Sequence, residues 1–279
     1  IGYGAFKLLE SQNTYEGNLT ISHELGSTKV KQNPKNVVVF DFGVLDVLDY
    51  LDVDVVGLPK SSTVPSYLSK YNDDKYTNVG SLKDPNYIKI SELKPELIII
   101  STRQADLYNK FMEIAPTICL TLDEKDYLSS FEENVNTLGT IFNKKDKADN
   151  EISKIKQKIQ TLKEKTTNKG LSALIVLTSS GDLSAYGPES RFGIIHKEFG
   201  VPPVNKNIVS STHGQNITFE YIRDNNPDII FVIDKGTVVS GGIPSKDLIE
   251  NDLVASTKAA KNNRIYYLNA EIWYLSAGG

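Results

Sequence analysis

Two short passages of the chain, 132 residues apart, repeat one design. Lys94-Pro95-Glu96 leads into the apolar run Leu97–Ile100, and Asn226-Pro227-Asp228 leads into Ile229–Ile233. In each, the proline stops a helix and an acidic residue opens a run of strand length. The runs do not alternate with polar residues, so they suit strands covered on both faces. Val37–Phe40 and the segment LSALIVLT from Leu171 read the same way. Strand and helix patterns alternate in both halves, which predicts two similar α/β halves with parallel sheets. A chain of 279 residues is long enough for two such units.

Between the halves, Ala148, Ile152, Ile155, Ile159 and Leu162 fall at spacings of four and three. They form one apolar stripe on a helix of about 20 residues, roughly 30 Å long. The organisation expected is an N-terminal lobe over residues 1–143, a connecting helix over 144–168 and a C-terminal lobe over 169–279. A single stiff crossing predicts small relative motion of the lobes. The first 20 residues carry no clear period, and residues 19–30 read as a hairpin around Leu25-Gly26-Ser27. No stretch approaches the roughly 18 apolar residues of a membrane span.

Several chemistries are argued against. The net charge of −4 disfavours a nucleic-acid partner. There is no G-x-G-x-x-G after a strand, no Walker loop, no HExxH and no G-x-S-x-G. Three histidines make a three-histidine zinc site improbable. The single cysteine, Cys119, lies in an apolar run and reads as a small buried hydrophobe. Nothing nominates a nucleophile with its base, so no enzyme activity is expected.

The informative residues sit beside the expected strands. Arg103 follows Leu97–Ile100 in STRQ. Tyr186 and Arg191 lie in SAYGPESRFG. His213 lies in the polar loop STHGQN, Lys235 in VIDKG, and Trp273 with Tyr274 in LNAEIWYLSAGG. All are read as carboxyl-end positions, where α/β folds bind ligands. With 27 lysines against 4 arginines, each arginine is conspicuous, because its planar fork grips anionic oxygens and stacks on rings. Each residue alone has a plainer reading, as an ion pair, a solvated loop group or core packing. His23, His196, Arg223 and Arg264 are read as structural.

Taken in order, ISTRQADLY, SAYGPESRFGIIH, STHGQN, NPDIIFVIDK, STKAAKNNRIYYL and EIWYLSAG resemble the catecholate siderophore-binding proteins of bacterial iron importers. These are cluster A (class III) substrate-binding proteins, of the petrobactin/enterobactin-binding type. The resemblance runs from about Asn33 to the end of the chain. It implies two Rossmann-like lobes joined by one long helix, with the ligand cleft between them. It implies a monomeric extracytoplasmic protein, lipid-anchored or periplasmic, that passes a ferric siderophore to an ABC permease. It also implies that His213 and Tyr274 complete the coordination of Fe(III) when the ligand supplies only two catechols. Arg103 and Arg191 match two of three basic residues that surround the anionic complex, with Tyr186 and Trp273 beside them.

Lys235 departs from the arginine of the family pattern, keeping the charge but losing the fork. Ile272 stands where an aromatic residue precedes the tryptophan, and the C-terminal lobe is expected to continue beyond Gly279. Asp46 and Glu198 are the candidates for permease contact. A ferric tris-catecholate carries three negative charges, which three cations offset through charge-assisted bonds. Fe(III) is hard, so a phenolate suits it and imidazole is acceptable. Free tyrosine titrates near 10, so ligation must release a proton. The competing ligands are haem, cobalamin and a hydroxamate siderophore; the competing class is a metal- or nucleotide-dependent α/β enzyme.

Overall fold

The computed structural model describes residues 17–209, 211, 213–239 and 245–279. The unpatterned N-terminal stretch therefore lies, up to residue 16, outside the described residues. So do Ser210 and Thr212 of the His213 loop.

A hairpin of β1 (Leu19–His23) and β2 (Gly26–Val30) comes first. The first large sheet contains β3 (Val37–Val39), β4 (Gly57–Leu58), β5 (Thr77–Asn78), β6 (Leu97–Ile100) and β7 (Thr117–Cys119). Its order is β5-β4-β3-β6-β7 and every pair is parallel. The second contains β8 (Ala173–Ser179), β9 (Asp182–Tyr186), β10 (Gln215–Ile217), β11 (Ile229–Asp234) and β12 (Ile265–Leu268), in the order β10-β9-β8-β11-β12. Side chains alternate between the two faces. Val37, Val39, Leu97 and Ile99 enter one core, and Val38, Phe40, Ile98 and Ile100 another. Across the second sheet, Leu174 and Val176 oppose Ile175 and Leu177 in the same manner. Both faces of each sheet are thus covered, as the unbroken apolar runs require.

The second sheet is mixed, which corrects the expectation of parallel sheets throughout. β9 turns back on β8 and runs antiparallel to it and to β10. The turn residues Ser180 and Gly181 both have positive φ, 52° and 93°. That is the backbone of a two-residue hairpin whose twist matches antiparallel strands.

The twin proline passages are structural equivalents. Lys94 and Asn226, each just before the proline, adopt left-handed backbone with φ of 47° and 46°. This ends the preceding helix without demanding the right-handed conformation that a following proline disfavours. The acidic residue after each proline then ties the neighbouring strand at its start. The Glu96 carboxylate accepts from the Lys35 amide at 2.7 Å, and that of Asp228 accepts from the Ser172 amide at 3.0 Å.

The long helix, Lys145–Lys169, runs between the two lobes and ends on Gly170 in left-handed conformation. Twenty-five residues span about 37 Å. Its apolar stripe is buried at Ala148 and Ile152, partly buried at Ile155 and exposed at Leu162. The helix is therefore rooted in the first lobe. It meets the second near its end, where Thr166 donates to the Phe199 carbonyl and Gly200 lies against Lys163 and Thr167. No helix among the described residues is long and apolar enough to cross a membrane.

Candidate functional site

In the first sheet the strand order reverses between β3 and β6, so the crevice outside their carboxyl ends is the favoured place for a ligand. A cavity of about 230 Å³ lies there. Asp41 lines it from the end of β3, Ser101, Thr102 and Arg103 from beyond β6, and Arg191 and Tyr274 from the second lobe. The cavity is therefore formed between the lobes.

Each cationic side chain is positioned by a local device. Arg103 lies in a 3-10 turn, Thr102–Leu107, beside Gln104, which is fully buried. The Gln104 side chain accepts from the Ser101 amide at 3.1 Å and donates to the Leu82 carbonyl at 2.7 Å. Arg191 sits over the rings of Phe192 and Tyr274, at 5.0 and 4.6 Å, and donates to the Tyr274 carbonyl at 3.1 Å. Lys235 opens the short helix after β11, and its ammonium lies 5.6 Å from the centre of the same Tyr274 ring. Burial holds the Arg191 guanidinium below the usual arginine range. The nearby Tyr274 opposes that shift and the charge of Arg103 adds to it. Arg103 and Arg191 bring two like charges to a cavity that Asp41 and Glu124 also line, and Glu124 offsets part of the burial cost at Arg191.

Tyr186 packs behind Phe192 and is not among the cavity-lining residues. It is buried, its ring meets Phe192 edge-on at 4.8 Å, and burial raises its phenol above the ordinary range. The His213 loop rests on this ring. A Cβ added at Gly214, whose φ is 72°, would come within 2.7 Å of the Tyr186 ring. The loop is closed by the Gly214 amide donating to the Ser211 carbonyl at 3.0 Å and by the Ser211 hydroxyl donating to the Gly214 carbonyl at 2.9 Å. His213 itself is exposed and is not among the described residues lining the cavity.

The carboxyl-end reading holds for Arg103, Arg191, Lys235 and the Trp273-Tyr274 pair, each just past the end of its strand, and it fails for His213. Arg191 follows β9, which runs opposite to β8, and His213 precedes β10 at its amino end. The antiparallel β9 reverses the polarity there. Arg191 reaches Tyr274 from a loop after that strand, and Gly214, next to His213, packs on Tyr186. Trp273 meets Phe199 edge-on at 6.5 Å, within the apolar cluster of its own lobe, and is not among the cavity-lining residues. Asp46 is partly buried on the helix Phe42–Tyr50, where burial and Asp49 raise its carboxyl above the usual range. Glu198 caps the short helix Ile194–Lys197 and is partly exposed.

Among the lining residues that escaped the sequence reading, three carry ionisable side chains. Asp41 caps the helix Phe42–Tyr50 by accepting from the Val44 amide at 2.9 Å. Glu124 and Tyr127 lie at the start of the segment leading into Tyr127–Ile141. Burial is the chief cause that pushes the Tyr127 phenol up to about 12. Asp41 followed by an apolar helical face was a legible N-cap signal. Glu124 and Tyr127 had none, because only the packing of the lobes brings them to the cavity. No group of three or more His, Cys, Asp or Glu among the described residues is arranged to hold a metal by itself.

Residues 37–272 match the family described as periplasmic binding protein. The petrobactin-binding protein YclQ of Bacillus subtilis is 46% identical over 274 residues, covering 97% of this chain and 86% of that protein. Its crystal structure superposes with a TM-score of 0.91, covering 94% and 93% of the two chains. The ferric-anguibactin-binding protein FatB of Vibrio anguillarum is 32% identical over 279 residues, 97% of this chain and 86% of its own. The periplasmic catecholate-siderophore binding protein VctP of Vibrio cholerae is 34% identical in its crystal structure, with a TM-score of 0.89 and coverage of 94% of each chain.

Proposed function

This chain belongs to the periplasmic binding protein family, and from that premise we propose that it captures ferric catecholate siderophores between its lobes and delivers them to an ABC permease. The observation that carries this reading is the grouping of Arg191 and Lys235 about the Tyr274 ring, with Arg103 lining the same cavity as Arg191 and Tyr274. Three cations offset the charge of a ferric tris-catecholate, and arginine and tyrosine faces suit catechol rings. Fe(III) is cargo, held by its chelator. With a bis-catecholate, two iron sites stay open, and His213 and Tyr274 supply the imidazole and phenolate that fill them. The protein performs no chemistry on its ligand.

The family membership supports an extracytoplasmic location, and we extend it to a lipid-anchored or periplasmic monomer with lobes 1–143 and 169–279 joined by residues 144–168. Asp46 and Glu198 are the acidic side chains offered to the permease. The deciding experiment is a titration of ferric tris-catecholate, bis-catecholate, monocatechol and hydroxamate complexes, read by quenching of Trp273, the one tryptophan of the chain. Tight binding of the catecholates with weak binding of the hydroxamate is expected. Preference for the hydroxamate, for haem or for cobalamin would overturn the catecholate assignment. If His213→Ala and Tyr274→Phe leave the charge-transfer spectrum of the bis-catecholate unchanged, direct ligation is wrong.

A further inference from the structure

Tyr274 lies in a single π-helical turn, Glu271–Leu275, and both ends of that turn are gripped by two consecutive residues of the other lobe. At its start, the Glu271 carboxylate accepts from the Ser66 amide at 3.0 Å and from the Ser66 hydroxyl. At its end, the Tyr67 hydroxyl bonds the Ser276 hydroxyl. The Ser276 hydroxyl donates to the Glu271 carbonyl at 2.9 Å, so the Tyr67 hydroxyl is the donor to Ser276. The four residues close a ring around the turn.

The first-lobe half of this ring is firmly seated. Ser66 and Tyr67 open the 3-10 helix Ser66–Asn72, which is anchored by the buried Leu68 and Tyr71. The Tyr71 hydroxyl donates to Asp49 at 2.9 Å. Burial keeps the Tyr67 phenol above its ordinary range, with Asp46, Glu271 and Asp41 adding to that shift against the bond to Ser276. Tyr67 therefore remains a donor over the working range of pH. On the second-lobe side, the Asn269 side chain accepts from the Glu271 amide at 2.9 Å, and the Asn269 carbonyl accepts from the Trp273 amide at 2.9 Å. A single turn of π-helix has few hydrogen bonds of its own, so its shape depends on such external ties.

We infer that Tyr67 and Glu271 are positioning residues for Tyr274: they clamp the π-turn across the lobes and set where the phenol stands in the cleft. The assignment rests on the proposed role of Tyr274 as an iron ligand. It makes that role depend on first-lobe residues that touch neither the iron nor the catechols. Through the clamp, the relative placement of the lobes and the reach of the phenol become one variable.

The test compares Tyr67→Phe and Glu271→Ala with the wild-type chain, each against a ferric bis-catecholate and a ferric tris-catecholate. The tris-catecholate satisfies iron without the protein and also reports folding. Each variant is expected to weaken bis-catecholate binding about fivefold to tenfold, the scale of one or two net hydrogen bonds. Each is also expected to lose the part of the charge-transfer band that Tyr274→Phe removes, while tris-catecholate affinity stays within about twofold. Equal losses with both ligands, or no change with either, would overturn the inference. A silent Tyr274→Phe would instead remove the ligation reading beneath it, and the two failures are distinguished by that control.

Discussion

The guanidinium of Arg191 lies 4.6 Å from the centre of the Tyr274 ring and also donates to the carbonyl of that same residue at 3.1 Å. One side chain thus holds both the backbone and the ring of the proposed phenolate ligand. A point charge cannot do both, because the stack and the directed bond need a planar fork. Arg191→Lys is therefore expected to keep the charge and lose the placement. Affinity for a ferric bis-catecholate, which needs the Tyr274 phenolate, should fall by about tenfold, the scale of one cation–π contact plus a hydrogen bond. Equilibrium titration measures it, and an unchanged affinity would show that charge alone suffices.

Lys235 tests the converse. Its ammonium is 5.6 Å from the same ring, a distance at which it contributes charge to the Tyr274 face. Lys235→Arg restores a planar cation there. The variant is expected to discriminate more sharply between tris-catecholate and monocatechol complexes, by roughly three- to tenfold, since stacked planar groups reward a fully built ligand more than a partial one. The ratio of the two dissociation constants is the readout.

What the sequence made legible follows the range of the interactions. The twin proline passages and the stripe from Ala148 depend on neighbours along the chain, and they foretold the repeated α/β halves and the long helix. The Ser180-Gly181 hairpin was also local, yet the strand-length run before it dominated the reading, and the antiparallel β9 was missed. His213, read at a carboxyl end, instead precedes β10. Glu124 and Tyr127 could not be nominated at all, because they meet Arg191 and Tyr274 only across the lobes. The clamp from Ser66 and Tyr67 to Glu271 and Ser276 spans more than 200 residues of chain and has no local signature.

Gly214 is where the His213 loop meets the buried Tyr186 ring. Its φ of 72° favours glycine, and an added Cβ would lie 2.7 Å from the rigid Tyr186 ring. Gly214→Ala must therefore lift the loop. The expected result is a loss of about tenfold in bis-catecholate affinity with a smaller loss for the tris-catecholate, whose iron does not need His213. The accompanying loss of stability should be about 1 kcal/mol, the usual cost of a left-handed alanine. Thermal melting and titration separate the two effects. Equal losses for both ligands would mean that the loop acts on the whole cleft and not through His213.

Acid sensitivity should come from two histidines that do not line the cavity. His196 is buried with Nδ1 donating to the Val201 carbonyl at 2.7 Å, while its Nε2 has no hydrogen-bond partner among the described residues. Burial lowers its pKa, against a smaller opposing effect of the Val201 bond, and burial also lowers that of His23 in the first hairpin. A histidine held neutral in the folded state takes up its proton only on unfolding near pH 6.5. The unfolded chain therefore binds more protons just below that value, and stability must rise with pH there. The contribution is fully present above pH 6.5 and is lost as pH falls toward the lowered folded values. Each histidine adds a slope of at most about 1.4 kcal/mol per pH unit. Urea unfolding between pH 7.5 and 5.5 should show stability flat at first and then declining. His196→Phe should reduce the decline whatever it does to stability at neutral pH, because it removes the proton uptake itself. A decline of unchanged steepness in His196→Phe would assign the acid sensitivity to His23 or to the carboxylates.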